Sequence, residues 1–500
     1  MDDRTAAPIA LSGRGLTVGA LAAIAAGRPV GIAPGGLDAM ARARAVIDEA
    51  VRERRPVYGV TTGLGPKATE ALDEEEIAAF ALRTVRGRAH AAGPDLPAAT
   101  CRAILAVRLN TLLIGAAGAR PALAEAMADR LAAGIAPAIR RTGSIGAADL
   151  VQGGEFGLSM IGEGRVWDAA GRLRPTAEVL AKTGVAPYAP GPREGLALVS
   201  HSSVTAAVSA LAVAGAEAAY ARLQRVAALS MEGFRASLTP LDPDLLSLRP
   251  QAGQTAAAAE LRELLEGSSL WAPGASRRLQ DPLSIRNLPQ IHGALRAALD
   301  AARDAAEAEM NGASDNPAVL AERGEVLSTG AYLSPHLALT MGALGQALSH
   351  AAAAAASRAG KLLSGRFSGL PDGLNRHGAA GAGMAALMKT AEALWAEVAH
   401  AAASAPIHPG FSADGLEDVS VHGLRAAYGV EAALAPLARL AAVEALVAAE
   451  AVERRALGDG LAPALRPLVE TVRRAAAPFV EDRAFGEEIE ALAAAMEAER

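Results

Sequence analysis

Beyond residue 193 the chain runs in long apolar stretches, 195–235, 254–266, 286–310, 335–363, 378–404, 423–458 and 461–478, whose Ala and Leu residues recur at helical spacing. Segments of this length need a shared core. The pattern therefore predicts helices packed side by side in a bundle, turning at Pro, Gly and sites such as Asp315-Asn316-Pro317. Two stretches, 195–215 and 336–356, contain no Asp, Glu, Lys or Arg. Their Ala, Gly, Ser, Thr and His content makes them poor lipid-facing spans and good interior helices.

Ahead of residue 193 the periodicity is shorter and more broken. Residues 15–56 predict short helices around a Pro/Gly-rich hinge at 27–36, residues 75–135 read as helical, and Arg165-Val166-Trp167 reads as part of a short hairpin. The stretch Val57-Tyr58-Gly59-Val60-Thr61-Thr62-Gly63-Leu64-Gly65-Pro66 sets apolar and aromatic positions among three glycines. Glycines that dense imply tight turns or close backbone approach, either a mobile loop presenting Tyr58 or an irregular connection. Thr142-Gly143-Ser144-Ile145-Gly146-Ala147-Ala148-Asp149-Leu150 is a Gly/Ser-rich turn leading into a helical segment. Polar groups break the apolar runs at His90 and at Arg108-Leu109-Asn110-Thr111.

Composition narrows the function classes. Net charge is -6 with both signs interspersed, so no nucleic-acid face or polybasic membrane patch stands out and a small-molecule partner is favoured. Aromatic residues make up only 3%, so alanine must set close helix approach, and the apolar flanks of a long bundle favour self-association. The single cysteine, Cys101, rules out an internal disulfide framework and a thiolate metal cluster, and reads as a buried small side chain in a reducing cytosol. The nine histidines are scattered without metal-ligand spacing. Met1-Asp2-Asp3-Arg4 does not lead into a secretory pattern, and the expected location is cytoplasmic.

In order along the chain, these turns and clusters resemble the histidine and aromatic amino-acid ammonia-lyase family. Tyr58-Gly59-Val60-Thr61-Thr62-Gly63-Leu64-Gly65 is similar to the family's Tyr-Gly-Val-Asn-Thr-Gly-Phe-Gly, and Ala89-His90-Ala91-Ala92-Gly93 to its Ser-His-Ala-Ala-Gly. Arg193-Glu194-Gly195-Leu196-Ala197-Leu198 resembles Lys-Glu-Gly-Leu-Ala-Leu, and Gln280-Asp281-Pro282-Leu283-Ser284-Ile285-Arg286 resembles Gln-Asp-Pro-Tyr-Ser-Leu-Arg. Pro289-Gln290-Ile291-His292-Gly293, Ser314-Asp315-Asn316-Pro317, Ser368-Gly369-Leu370-Pro371 and Leu416-Glu417-Asp418-Val419-Ser420 continue the match.

The resemblance implies a mainly α fold with a long central helical bundle of the ammonia-lyase/fumarase-like type and a smaller, loop-rich N-terminal region. The expected divisions are 1–192 for the region carrying the Tyr58 loop and the 143–150 turn, 193–480 for the bundle, and 481–500 for a C-terminal helix. It also implies a homotetramer with shared active sites. The family's electrophile, a methylidene-imidazolone, forms when an Ala-Ser-Gly triad in Gly-Ser-Val-Gly-Ala-Ser-Gly-Asp-Leu cyclises and loses water. Here the turn reads Gly143-Ser144-Ile145-Gly146-Ala147-Ala148-Asp149-Leu150, one residue shorter and without that serine. The Ser-Gly pairs elsewhere follow Leu or Phe, so no cofactor is expected. Two further family positions differ: Ser200-His201-Ser202 stands for Asn-Gly-Thr, and Leu283 for Tyr.

Without the electrophile a plain amine leaves poorly, whereas a quaternary ammonium departs as a neutral amine without proton transfer. The resemblance thus extends to the family's ergothionase branch, which eliminates trimethylamine from the histidine betaine ergothioneine to give thiourocanate. By position, Tyr58 matches the general base, a role that needs a cationic surrounding. Arg286 matches the arginine that grips the carboxylate. His90 and Glu417 match residues contacting the side chain of histidine-type substrates, and Tyr332 would face a trimethylammonium through its ring. Lys389, one of four lysines, sits in an Ala-rich helix and is either a further candidate for the site or a solvated lysine on an outer face. The alternatives are a non-catalytic binding or assembly protein and an ordinary histidine ammonia-lyase, which needs the electrophile.

Overall fold

The computed structural model describes residues 7–403 and 408–499. Helices hold 61% of the residues, as the apolar periodicity predicts. The chain forms two compact units, one of Met1–Ala214, Arg303–Met341 and Ala405–Tyr428, the other of Gly215–Ala302, Gly342–Ser404 and Gly429–Arg500.

In the first unit, short helices alternate with small strand pairs. The hinge at 27–36 contains the strand Val30–Ile32, which pairs in parallel with Ile9–Leu11. The helix Glu74–Arg86 opens with a reciprocal cap, Asp73 accepting from the Glu76 N–H while the Glu76 carboxylate accepts from the Asp73 N–H. The expected hairpin exists: Arg165–Trp167 pairs antiparallel with Leu173–Pro175, and Val166 packs with Ile135, Val179 and Leu180. A second cluster sets the Tyr58 loop: Val57 and Val60 pack with Ala43, Val46, Ile47 and Ala50 of the helix Gly36–Arg52 and with Val319. The two valines flanking Tyr58 and Gly59 are thus core residues, which leaves the loop a fixed base.

Glycines permit the next layer. The helix Leu150–Met160 passes so close to its neighbours that a Cβ on Gly153 would lie 2.1 Å from the Val199 carbonyl oxygen, and one on Gly154 2.4 Å from the Ala89 nitrogen.

The second unit is a helical bundle tied by buried polar groups. Arg358 and Glu444, both fully buried, form a forked pair that also takes a 2.7 Å hydrogen bond from the Ser230 hydroxyl. Nearby, His292 Nδ1 lies 2.7 Å from Gln224 Oε1, and the Gln224 amide donates to Glu260 at 2.8 Å. These contacts hold the helix Ser203–Phe234 to Leu288–Met310, Pro335–Leu363 and Gly423–Arg454 within this unit.

Two predicted helices differ. The stretch 195–235 breaks at 200–202 into Glu194–Val199 and Ser203–Phe234, where Ser202 turns to bind Ser314 and Tyr332, far along the chain. The stretch 378–404 becomes regular only at Leu387–Ala401, since Gly378 and Gly383 adopt left-handed backbone and a Cβ on Gly383 would lie 2.5 Å from the Gly373 oxygen. Two apolar helical runs, Glu194–Phe234 and Gly423–Arg454, are long and apolar enough to cross a membrane by composition, but 89% and 78% of their apolar windows are buried in the protein, as in core helices.

Candidate active site

Tyr58 sits half-buried on a tight loop in which the N–H groups of Val60, Thr61 and Thr62 all converge on the Val57 carbonyl, at 3.0, 3.1 and 3.2 Å. Gly59 has φ +66, and a Cβ there would come within 2.7 Å of both Leu196 and Leu64. The loop closes when the Gly65 N–H donates to the Tyr58 hydroxyl oxygen at 3.0 Å. A backbone donor on this oxygen stabilises negative charge there. Burial lowers the pKa of Arg88 and of Arg193, and the nearby Tyr58 opposes that shift in each.

Arg193 belongs to a buried charge cluster. Arg108 donates to Asp315 through both terminal nitrogens, at 3.1 and 2.8 Å, and the pair is 0% and 1% exposed. Arg193 lies 4.0 Å from the same carboxylate and donates to the carbonyls of Ala117 at 2.8 Å and Pro317 at 2.7 Å. Burial lowers Arg193 to about 10, and the Asp315 carboxyl, although buried, is held below its ordinary value by Arg108 and Arg193. Arg88 and Arg193 received no role from the sequence. The signal was present: Arg108 interrupts an apolar helix, Asp315 lies in a turn motif, and opposite charges in apolar surroundings must find each other.

The 143–150 turn is a knot of backbone hydrogen bonds. Ala148 adopts φ +54, rare for a residue with a Cβ, and its N–H donates to the Tyr332 carbonyl at 3.1 Å. The Asp149 N–H donates to the His201 carbonyl at 2.9 Å, and the Ile145 carbonyl accepts from the His422 N–H at 3.3 Å. The Asp149 carboxylate accepts from the Thr205 N–H at 2.8 Å and its hydroxyl at 2.6 Å, capping the start of the helix Ser203–Phe234. Burial raises the Asp149 carboxyl, against these hydrogen bonds.

The His201 ring is fully buried, edge-on to Phe156 with centroids 5.2 Å apart. Its Nδ1 accepts from the Ser203 N–H at 3.3 Å, which leaves Nε2 to carry the proton toward the Leu198 carbonyl at 3.2 Å. Burial and the nearby Arg108 push its pKa down to about 3, so the ring is neutral.

The remaining sequence candidates divide between the units. Tyr332 is half-buried beside the turn, and its carbonyl also accepts from the Ser202 hydroxyl at 3.3 Å. Glu417 begins the strand Glu417–Ser420, which runs on to Val421 and His422 against the turn; a Cβ on Gly146 would meet Val421 at 2.7 Å. Burial raises the Glu417 carboxyl. His90 is exposed and follows the segment on which Gly154 packs. Tyr58, His90, Tyr332 and Glu417 thus lie in the first unit. Arg286 and Lys389 belong to the second. Arg286 lines a cavity of about 340 Å³ with Leu246, Gln254, Leu283 and Asn287, and donates to Gln280 at 2.9 Å. Lys389 is exposed in the first turn of Leu387–Ala401.

Residues 16–474 match the model of the aromatic amino acid lyase family. The chain belongs to this family. Histidine ammonia-lyase of Anaeromyxobacter sp. (strain K) is 33% identical over 496 residues, 96% of this chain and 97% of that protein. Histidine ammonia-lyase of Symbiobacterium thermophilum is 34% identical over 456 residues, 91% of this chain and 89% of that protein. Among solved structures, ergothionase from Treponema denticola, in complex with desmethyl-ergothioneine sulfonic acid, superposes with a TM-score of 0.93 at 27% identity, covering 98% of this chain and 99% of that one. Tyrosine aminomutase from Streptomyces globisporus gives 0.91 at 30% identity, covering 98% and 97%. These relatives place the chain among the carbon–nitrogen lyases.

The family's electrophile does not fit the residues present. An imidazolone ring closes when the nitrogen of a triad's third residue attacks the carbonyl of its first, and its methylidene carbon comes from a serine between them. Here the middle position is Ala148, which has no hydroxyl to lose, and the nitrogen that follows is committed to the His201 carbonyl.

Proposed function

We propose that this lyase eliminates trimethylamine from a histidine-derived betaine, ergothioneine first among them, without a methylidene-imidazolone. The observation that carries the reading is Ala148 in the serine's place, in a left-handed turn whose amides are already paired. A substrate for such a site must bring its own leaving group. A trimethylammonium does: its carbon–nitrogen electrons depart on a neutral amine and no proton has to reach the nitrogen.

In this reaction the Tyr58 oxygen takes the β-proton, the C–H electrons form the new double bond, and the C–N electrons leave with trimethylamine. The Gly65 N–H, donating to the Tyr58 oxygen, supports its charge before proton transfer. Arg286 holds the carboxylate through its planar fork. Glu417 and His90 contact the imidazole or thioimidazole, Tyr332 faces the trimethylammonium, and Lys389 serves the same site. The reading includes a cytoplasmic homotetramer with shared active sites. The likeness to ergothionase from Treponema denticola supports the choice of ergothioneine as substrate.

The test is trimethylamine release, with ultraviolet absorbance of a conjugated imidazole-acrylate product, for ergothioneine, trimethylhistidine and histidine side by side. Turnover of a betaine but not of histidine is expected. Turnover of histidine by a protein whose intact mass lacks two waters would restore the ordinary ammonia-lyase. No turnover of any of the three would leave a binding role.

A further inference from the structure

Arg286 sits at the end of Leu283–Arg286, a single helical turn. So short a helix leaves most of its carbonyls without partners of its own. One of them, the Ser284 carbonyl, accepts from Arg358 Nη1 at 3.3 Å. The other nitrogens of Arg358 are committed to Glu444, Nε at 2.6 Å and Nη2 at 2.9 Å, and the Ser230 hydroxyl braces the same carboxylate at 2.7 Å. A guanidinium fixed along one edge by Glu444 thus presents its remaining terminal nitrogen to the backbone two residues ahead of Arg286. Upstream, Asp281 is tied to the Ser237 N–H at 2.7 Å, so the turn is anchored on both sides of Leu283.

A buried ion pair adds little stability over apolar residues of the same size, which leaves its geometry as its distinctive contribution. We infer that Arg358, with Glu444, is a positioning pair that sets the placement of Arg286 and through it the enzyme's preference for a substrate carboxylate. The inference rests on the reading of Arg286 as the carboxylate clamp.

The experiment compares ergothioneine with its carboxamide, and histidine with histidinamide, as ligands in calorimetry, because each pair differs only in the group the clamp reads. The proteins are the parent, Arg286→Ala, Arg358→Lys and Ser230→Ala. Lysine keeps the charge but offers one ammonium in place of a three-edged fork, so it cannot serve Glu444 and Ser284 together. Arg358→Lys should cut the preference for acid over amide about tenfold, the loss of one charge-assisted contact, while amide affinity stays unchanged. Ser230→Ala should move the same ratio less, in the same direction, and decides the matter should Arg358→Lys fail to fold. Equal weakening of acid and amide would reveal a merely structural role and overturn the inference. Should Arg286→Ala collapse the ratio while Arg358→Lys and Ser230→Ala leave it intact, the positioning role fails and the clamp stands. An unchanged ratio in Arg286→Ala, or an unliganded parent with both acids, removes the clamp and the positioning role with it.

Discussion

The backbone N–H of Ala148 donates to the carbonyl of Tyr332 at 3.1 Å, and this bond joins the degenerate turn to the segment expected to face the substrate's cation. The next amide along, that of Asp149, is paired with His201 at 2.9 Å. Restoring a hydroxyl alone therefore leaves the ring-closing nitrogen occupied. Ala148→Ser should gain one oxygen in intact mass and lose no water, with no new absorbance. A species lighter by water would contradict this account of the turn.

Tyr58→Phe should lower betaine turnover by roughly 10²–10⁴-fold, the span of general-base catalysis, with KM little changed. Val57 and Val60 hold the loop in the core independently of the phenol, so the variant should keep its fold, checked by circular dichroism. Activity within threefold of the parent would exclude Tyr58 as the base.

The pairing of Arg108 with Asp315 carries a stability prediction. Asp315→Ala would leave Arg108 and Arg193 buried without their shared counter-ion, at a cost of about 3–5 kcal/mol in chemical denaturation. A change under about 1 kcal/mol would mean that the two guanidinium groups find other partners or water.

Acid sensitivity follows from His201. Its folded pKa, about 3, lies below its ordinary 6.5, so the folded state resists the proton that the unfolded chain accepts. Its neutral form costs nothing above pH 6.5, and stability is lost progressively as pH falls from there toward 3. His292, also buried and lowered well below 6.5, acts in the same direction. Thermal melts should drop between pH 7 and 5, and His201→Gln should flatten part of that slope.

Cys101 is fully buried, and burial pushes its thiol up to about 12. Alkylating reagents should label the native protein negligibly and the denatured protein once. Labelling of the folded protein at the denatured rate would show that the surrounding helix opens readily.

The helices were legible because their apolar periodicity is set locally. The break at 200–202 was not, since it depends on Ser202 donating to Ser314, more than a hundred positions away. The Gly-rich lead-in at 378–386 carried its warning in Gly378, Gly381 and Gly383 but was outweighed by the alanines around them. The tight turn around Tyr58 could be read from its glycines, and the absent serine from the 143–150 turn itself. The cations near Tyr58 were harder to see. Arg193 gains its place through Asp315, and no local pattern joins residues that the fold alone brings together.

The shortened turn also bears on how this chain can change. Converting Ala148 to serine yields Ala-Ser-Asp rather than Ala-Ser-Gly, so the covalent group lies an inserted codon and a substitution away, and each step alone leaves a protein without it. The substitution alone leaves the backbone pairing of Asp149 with His201 in place, and the insertion alone shifts the register of the paired amides without supplying a hydroxyl. Descent from this sequence is in that respect one-way: it can refine its choice of leaving group far more readily than it can regain the electrophile.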